Sequence, residues 1–237
     1  MGEGRGEERS RPGMKSAFTL AEVLITLVII GVIAAITVQT LITKYQKEQT
    51  VTRLKKAYSA LSQTTNRAIA DYGPINTWEY TDSKDFVNKF IVPYMSVMKP
   101  AQTQNEGNWY NKFNYLNNIE ATFGGSKVRI YLNDGSSITG GIQGYSSVNP
   151  SLYRGAFYID INGDKKPNKV GKDMFLFFYY LTDSHYGGKI IPEGYASLRE
   201  RIMGGSSDWT CNKNKRGTFC AALIIKDGWQ IKDDYPW

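Results

Sequence analysis

The sequence predicts an α+β fold in which one long N-terminal helix precedes a small antiparallel β-sheet domain. Three observations carry that expectation. Residues 18–38 form an apolar run whose one ionisable residue is Glu22; helical spacing continues beyond it with no proline or glycine from 39 to 72; and alternating apolar stretches begin only after Lys127. A helix first and strands afterwards is the order of an α+β domain, not of an alternating α/β one.

Taken in order, residues 1–13 are polar, rich in Gly, Arg and Glu, and without apolar period, so they read as a dispensable segment with Met14 as an alternative start. The run FTLAEVLITLVIIGVIAAITV at 18–38 has the length for a bilayer, which takes ~20 residues at ~1.5 Å each. Val51, Leu54, Tyr58, Leu61, Thr65 and Ala68 then recur at steps of three and four, one apolar stripe on a helix. Gly73-Pro74 is a strong stop. Residues 18–72 are therefore expected as a single helix of roughly 80 Å, with Gly31 its weakest interior point.

Residues 73–237 are expected to form the globular part. Asp82 or Ser83 caps a short helix that carries Phe86, Phe90, Ile91 and Tyr94 on one face and meets Pro93. Residues 100–118, rich in Asn, Gln and aromatic side chains but lacking a period, read as a surface loop. Val128, Ile130 and Leu132 alternate with polar neighbours, Asn133-Asp134-Gly135 supplies a hairpin turn, and 137–139 returns. Residues 156–161 alternate again, and 174–181 is almost wholly apolar and aromatic, as a central strand would be. A helix-like run after Cys220 ends at Gly228.

The start of the apolar run carries the functional signal. An ionised side chain inside hydrocarbon costs at least ~2.5 kcal/mol, so Glu22 calls for a partner. Lys15-Ser16-Ala17 places small residues before the apolar core, whereas a secretory signal peptide has them after it. Cleavage after Ala17 would keep the helix and create a new amine at Phe18, one turn from Glu22. Phe18-Thr19-Leu20-Ala21-Glu22 resembles the leader junction of type IV prepilins and type II secretion pseudopilins, whose pattern is a small residue, Phe, Thr, Leu, a variable residue and Glu. The departure is Ala17, where that family usually has Gly.

The resemblance implies a type IV pilin-like fold, with 1–17 as leader, 18–72 as the long helix and 73–237 as the domain. It implies cutting between Ala17 and Phe18 by a prepilin peptidase and methylation of the Phe18 amine. Partners would be other pilin or pseudopilin subunits and an inner-membrane assembly platform, with Glu22 facing a neighbour's Phe18 ammonium in the filament core. The chain would cross the cytoplasmic membrane once, with its domain outside, and reach the periplasm or cell surface on assembly. A plain signal anchor is the competing expectation.

Formal net charge is +7, yet the basic residues are scattered, with small clusters at Lys55-Lys56, Lys165-Lys166 and 213–216. That pattern argues against a nucleic-acid partner, and a DNA-uptake pilin is kept only as the alternative. Cys211 and Cys220 bracket a polar loop with no histidine near; outside the cytoplasm such a pair suits a disulfide better than a metal site. In the loop 160–173, Asp160, Asn162 and Asp164 alternate like calcium ligands and Asp173 can close the set. The EF-hand pattern fails, because Lys165 stands at its glycine position. The segment instead resembles the Asp-x-Asn-Gly…Pro-Asn…Gly-x-Asp loop of some pseudopilins, where calcium stabilises the domain; calcium is thus the one cofactor to consider, against an Asn-Gly turn neutralised by Lys165, Lys166, Lys169 and Lys172. No enzyme is expected: His185 is the sole histidine, and its neighbours Asp183 and Ser184 do not make a triad by adjacency.

Overall fold

A computed structural model describes residues 18–124, 127–142, 153–180 and 188–237. The leader positions, with Ala17, and the Asp183-Ser184-His185 triplet lie outside the described residues. The chain divides into two compact units, Met1–Tyr45 and Gln46–Trp237.

Helix α1 (Leu20–Tyr72) supplies the regular structure of the first unit and continues into the second. Its residues up to Gln46 are all exposed, and it is long and apolar enough to cross a membrane by length and composition. It ends as the sequence requires: Gly73 takes φ +79° while its N–H donates to the Ile69 carbonyl at 2.9 Å, and Pro74 follows. Between Thr50 and Ala68 the helix buries Thr50, Leu54, Ala57, Leu61, Thr64, Thr65 and Ala68, so the expected stripe is present and widened by small residues that permit close packing.

In the second unit, α2 (Ser83–Phe90) is capped by Asp82, whose carboxylate accepts the Lys84 and Asp85 N–H groups at 2.8 Å each. Then come β1 (Val97–Thr103), α3 (Gln104–Gly107), β2 (Lys112–Asn114), β3 (Glu120–Thr122), β4 (Val128–Leu132), β5 (Ser137–Ile142), β6 (Tyr153–Asp160), β7 (Met174–Tyr180), β8 (Ile190–Pro192), α4 (Arg199–Gly204) and α5 (Cys220–Lys226). The main sheet has the order β1-β4-β5-β6-β7-β8, antiparallel throughout, and β2 pairs with β3 separately. One face, with Ile130, Ile138, Phe157, Ile159, Phe177 and Tyr179, packs with Leu54 and Leu61 of α1 and with Phe86 and Phe90 of α2. Within it, Thr65 donates its hydroxyl hydrogen to the Tyr179 oxygen at 2.9 Å. Gly140 sits in β5 because a Cβ there would come within 2.3 Å of the Phe157 ring.

The expectation of a surface loop at 100–118 is corrected. That stretch holds most of the edge strand β1, the turn α3 and the strand β2, and it buries Trp109, Phe113 and Leu116. Alternation is absent from β1 because its pairing with β4 shifts register twice. Trp109, Phe113 and Phe123 instead cover the second face of the sheet, beside Met174 and Tyr158.

The chain after β8 is fastened by charge and rings. Arg199 grips Asp227 through two bonds of 2.6 and 2.9 Å and Asp234 at 3.0 Å, while Trp229, Tyr235 and Trp237 pack on the main core. Glu193, just past β8, has its carboxyl pushed up to about 7 by burial. A raised acid takes up a proton on folding between its unfolded and folded values, so its contribution to stability is present at low pH and is lost as pH rises through about 7. Glu193→Gln is therefore expected to stabilise the chain by about 2 kcal/mol at pH 8 and by little at pH 4. Urea unfolding at both values checks it; an equal effect at the two would contradict the burial argument.

Candidate functional site

Glu22 is already engaged within its own helix. Its Oε2 accepts the Thr19 N–H at 2.8 Å and the Thr19 hydroxyl at 2.9 Å, while Thr19 Oγ1 accepts the Glu22 N–H at 3.2 Å. This is a reciprocal capping box, which satisfies helix-start donors that would otherwise be orphaned. Phe18, directly before it, is exposed. The acid in the apolar run thus has a local role in the single chain, and its charge lies on an exposed face.

The second candidate is the loop between β6 and β7. Asp160 ends β6 at 1% exposure and Asp173 precedes β7 at 4%. Asp173 Oδ1 accepts the Lys169 N–H at 2.6 Å, and its Oδ2 accepts the Asn168 N–H at 2.8 Å and the Asn162 amide at 3.2 Å. Asp160 accepts the Asn162 N–H at 3.1 Å and the Tyr110 hydroxyl. Burial pushes the Asp160 carboxyl up to about 7, with the charge of Asp173 adding to it, and burial also raises Asp173. Two amide oxygens in the same loop, Asn162 Oδ1 and Asn168 Oδ1, are buried without a hydrogen-bond donor.

The proposed alternation breaks at its third member. Asp164 turns to Arg129, whose Nη1 donates to it at 2.7 Å, and to the Tyr131 hydroxyl at 3.0 Å. The reason is the guanidinium: Arg129 is fully buried on the second face of the sheet, 3.9 Å from the Tyr110 ring centroid and 4.7 Å from that of Trp109, and its charge requires a counter-ion. Sequence reasoning missed Arg129 and Tyr110, and had Asn168 only as the Asn of the Pro-Asn in the loop motif. Arg129 looked like the solvent side of an alternating strand, and the adjacent aromatic pair Trp109-Tyr110 was the signal that something covers it.

The residues that remain offer the ligand type of a hard cation, with the Asn162 amide turning its NH2 and not its oxygen to Asp173. Two carboxylates raised by burial, Asp160 further by the charge of Asp173, and two amide oxygens without a donor are all oxygen groups, the ligand type calcium takes. Among the described residues no group of three His, Cys, Asp or Glu side chains forms a metal site, so the amides are essential to the set. Of the four lysines that would oppose a cation, Lys169 donates to Asn118 Oδ1 at 2.6 Å, while Lys166 and Lys172 line the same cavity as Asn162 and Asp173. A bound cation would be held by Asp160, Asp173, Asn162 and Asn168, and its chemistry there would be neutralisation of the carboxylate pair.

Cys211 and Cys220 form a disulfide, both sulfurs buried. A membrane-length helix followed by a disulfide-closed α+β domain is the class of protein that fold and sites define. Residues 40–237 match a family of unknown function (DUF6613), and the chain belongs to that family. No curated protein and no solved structure matches it.

Proposed function

We propose that this chain is a structural subunit of a type IV pilus or type II secretion pseudopilus, cut by a prepilin peptidase and assembled through its N-terminal helix. One observation carries the reading: an exposed apolar helix that opens with Phe18-Thr19-Leu20-Ala21-Glu22. An exposed apolar surface of this size requires a bilayer or other copies of itself to cover it. The two environments succeed one another in a subunit that is first stored in the membrane and then packed into a filament core.

Mass spectrometry of the native protein tests the first step. The expected mature terminus is an N-methylated Phe18; a terminus at any other residue would refute processing at this junction. The capping box favours a second reading, an anchored monomer in which Glu22 serves only its own helix start. That reading predicts no multimer.

A further inference from the structure

The second face of the main sheet holds a cavity of about 190 Å³ whose walls come from the β2–β3 pair and from β5, β6 and β7. Phe113 and Phe123 line one side; Thr139, Tyr158 and Leu176, neighbours across three strands, line the other. The two sides meet at Tyr158. Its ring centroid lies 5.3 Å from that of Phe113 and 5.5 Å from that of Phe123, and the two phenylalanine rings are 4.7 Å apart.

Lys127, just before β4, is the one charged residue in this lining. Burial pushes its ammonium below the ordinary lysine value, and no carboxylate acts to raise it. Among the described residues it forms no hydrogen bond, ion pair or ring contact. Two residues on, Arg129 shows what a desolvated cation in this chain otherwise receives: Asp164 at 2.7 Å, the Thr139 hydroxyl at 2.6 Å and the faces of Tyr110 and Trp109. The Tyr158 hydroxyl, too, has no hydrogen-bond partner among the described residues, while the charges of Glu193 and Arg216 act on it in opposite senses.

We propose that this cavity binds a small molecule made of one apolar ring and one carboxylate, the ring among Phe113, Phe123 and Tyr158 and the carboxylate paired with Lys127. The proposal stands apart from the filament reading. Size sets the first limit: an apolar cavity of ~150 Å³ takes a benzene ring, so about 190 Å³ takes a ring with one small group. The walls select a ring, because aromatic faces and edges add attraction beyond the area they bury. The charge selects an anion. An ammonium withdrawn from water without a partner is costly, and a carboxylate restores it through charge-assisted hydrogen bonds. Ammonium and phenol can both donate, and a carboxylate only accepts. A mostly apolar pocket with a few polar groups that fix orientation is the usual form of a small-molecule site.

The test uses the full chain in nanodiscs of zwitterionic lipid, with empty discs as the blank. Benzoate, benzyl alcohol, benzylamine and acetate are titrated by calorimetry into the wild type and into Lys127→Met, which keeps the stem and removes the charge. Benzoate is expected to saturate the wild type and to bind roughly tenfold or more tightly than each of the other three. Lys127→Met is expected to bring benzoate down to the level of benzyl alcohol. If that variant does not fold, the ranking on the wild type still decides. Benzoate that does not saturate, or that ranks level with benzyl alcohol or benzylamine, overturns the proposal. So does acetate binding as tightly as benzoate, or a benzoate affinity unchanged in a folded Lys127→Met.

Discussion

Glu22→Gln is expected to insert, fold and lose its leader as the wild type does, and then to fail to form multimers. Glutamine at the third helical position can still accept from the Thr19 N–H and hydroxyl, so the capping box survives while the charge is gone. A neighbour's Phe18 ammonium would then be stranded in an apolar filament core, at ~3–5 kcal/mol for one member of a buried pair. Each ~1.4 kcal/mol is a factor of ten, so the loss per contact is roughly a hundredfold or more. Glu22→Ala removes both cap and charge, and serves as the comparison. Crosslinking of membrane and sheared surface fractions reads the result. Normal multimers with glutamine and poor ones with alanine would assign Glu22 to capping alone; loss in both assigns it to the charge pair.

The second large effect is expected at Asp173. Asp173→Ala strands the N–H groups of Asn168 and Lys169 and the Asn162 amide, each at ~1–3 kcal/mol if left unsatisfied, less whatever is regained by relieving Asp160. A net loss of about 2–4 kcal/mol in urea unfolding follows. Calcium, which raises the melting temperature of any protein it binds only in the folded state, should do so for the wild type and not for this variant. Asp164→Ala should keep the response, because Asp164 is committed to Arg129 and Tyr131. A response abolished at Asp164 and kept at Asp173 would restore the simple alternation of Asp160, Asn162 and Asp164 and remove the assignment made from the structure.

Legibility followed the length scale of the signal. The 53-residue helix α1 was readable because its pattern repeats over many turns and its end is marked by Gly73-Pro74. Strands β4 and β6 were readable because alternation runs through each, β7 because its run is continuously apolar and aromatic, and the β4–β5 turn because Asp134 accepts the Ser136 N–H at 3.1 Å and its hydroxyl at 2.6 Å, local chemistry that needs no distant partner. Strands β2, β3 and β8, of three residues each, are too short to carry a period. The bulged edge strand β1 was lost for the related reason that its pairing shifts register.

The candidate sites divide along the same line. The sequence by itself determined the helix, its membrane-compatible length, the order of helix before sheet, and the Phe18-Thr19-Leu20-Ala21-Glu22 motif at its start, because each depends on residues within a few turns of one another. The tertiary structure alone decided which acids share the loop. Asp164 is four residues from Asp160, yet it pairs with Arg129, 35 residues earlier, because a buried guanidinium outcompetes a neighbouring turn for a carboxylate. Gly171 came to rest on Cys220 for the same reason: close packing brings together groups that no local spacing connects.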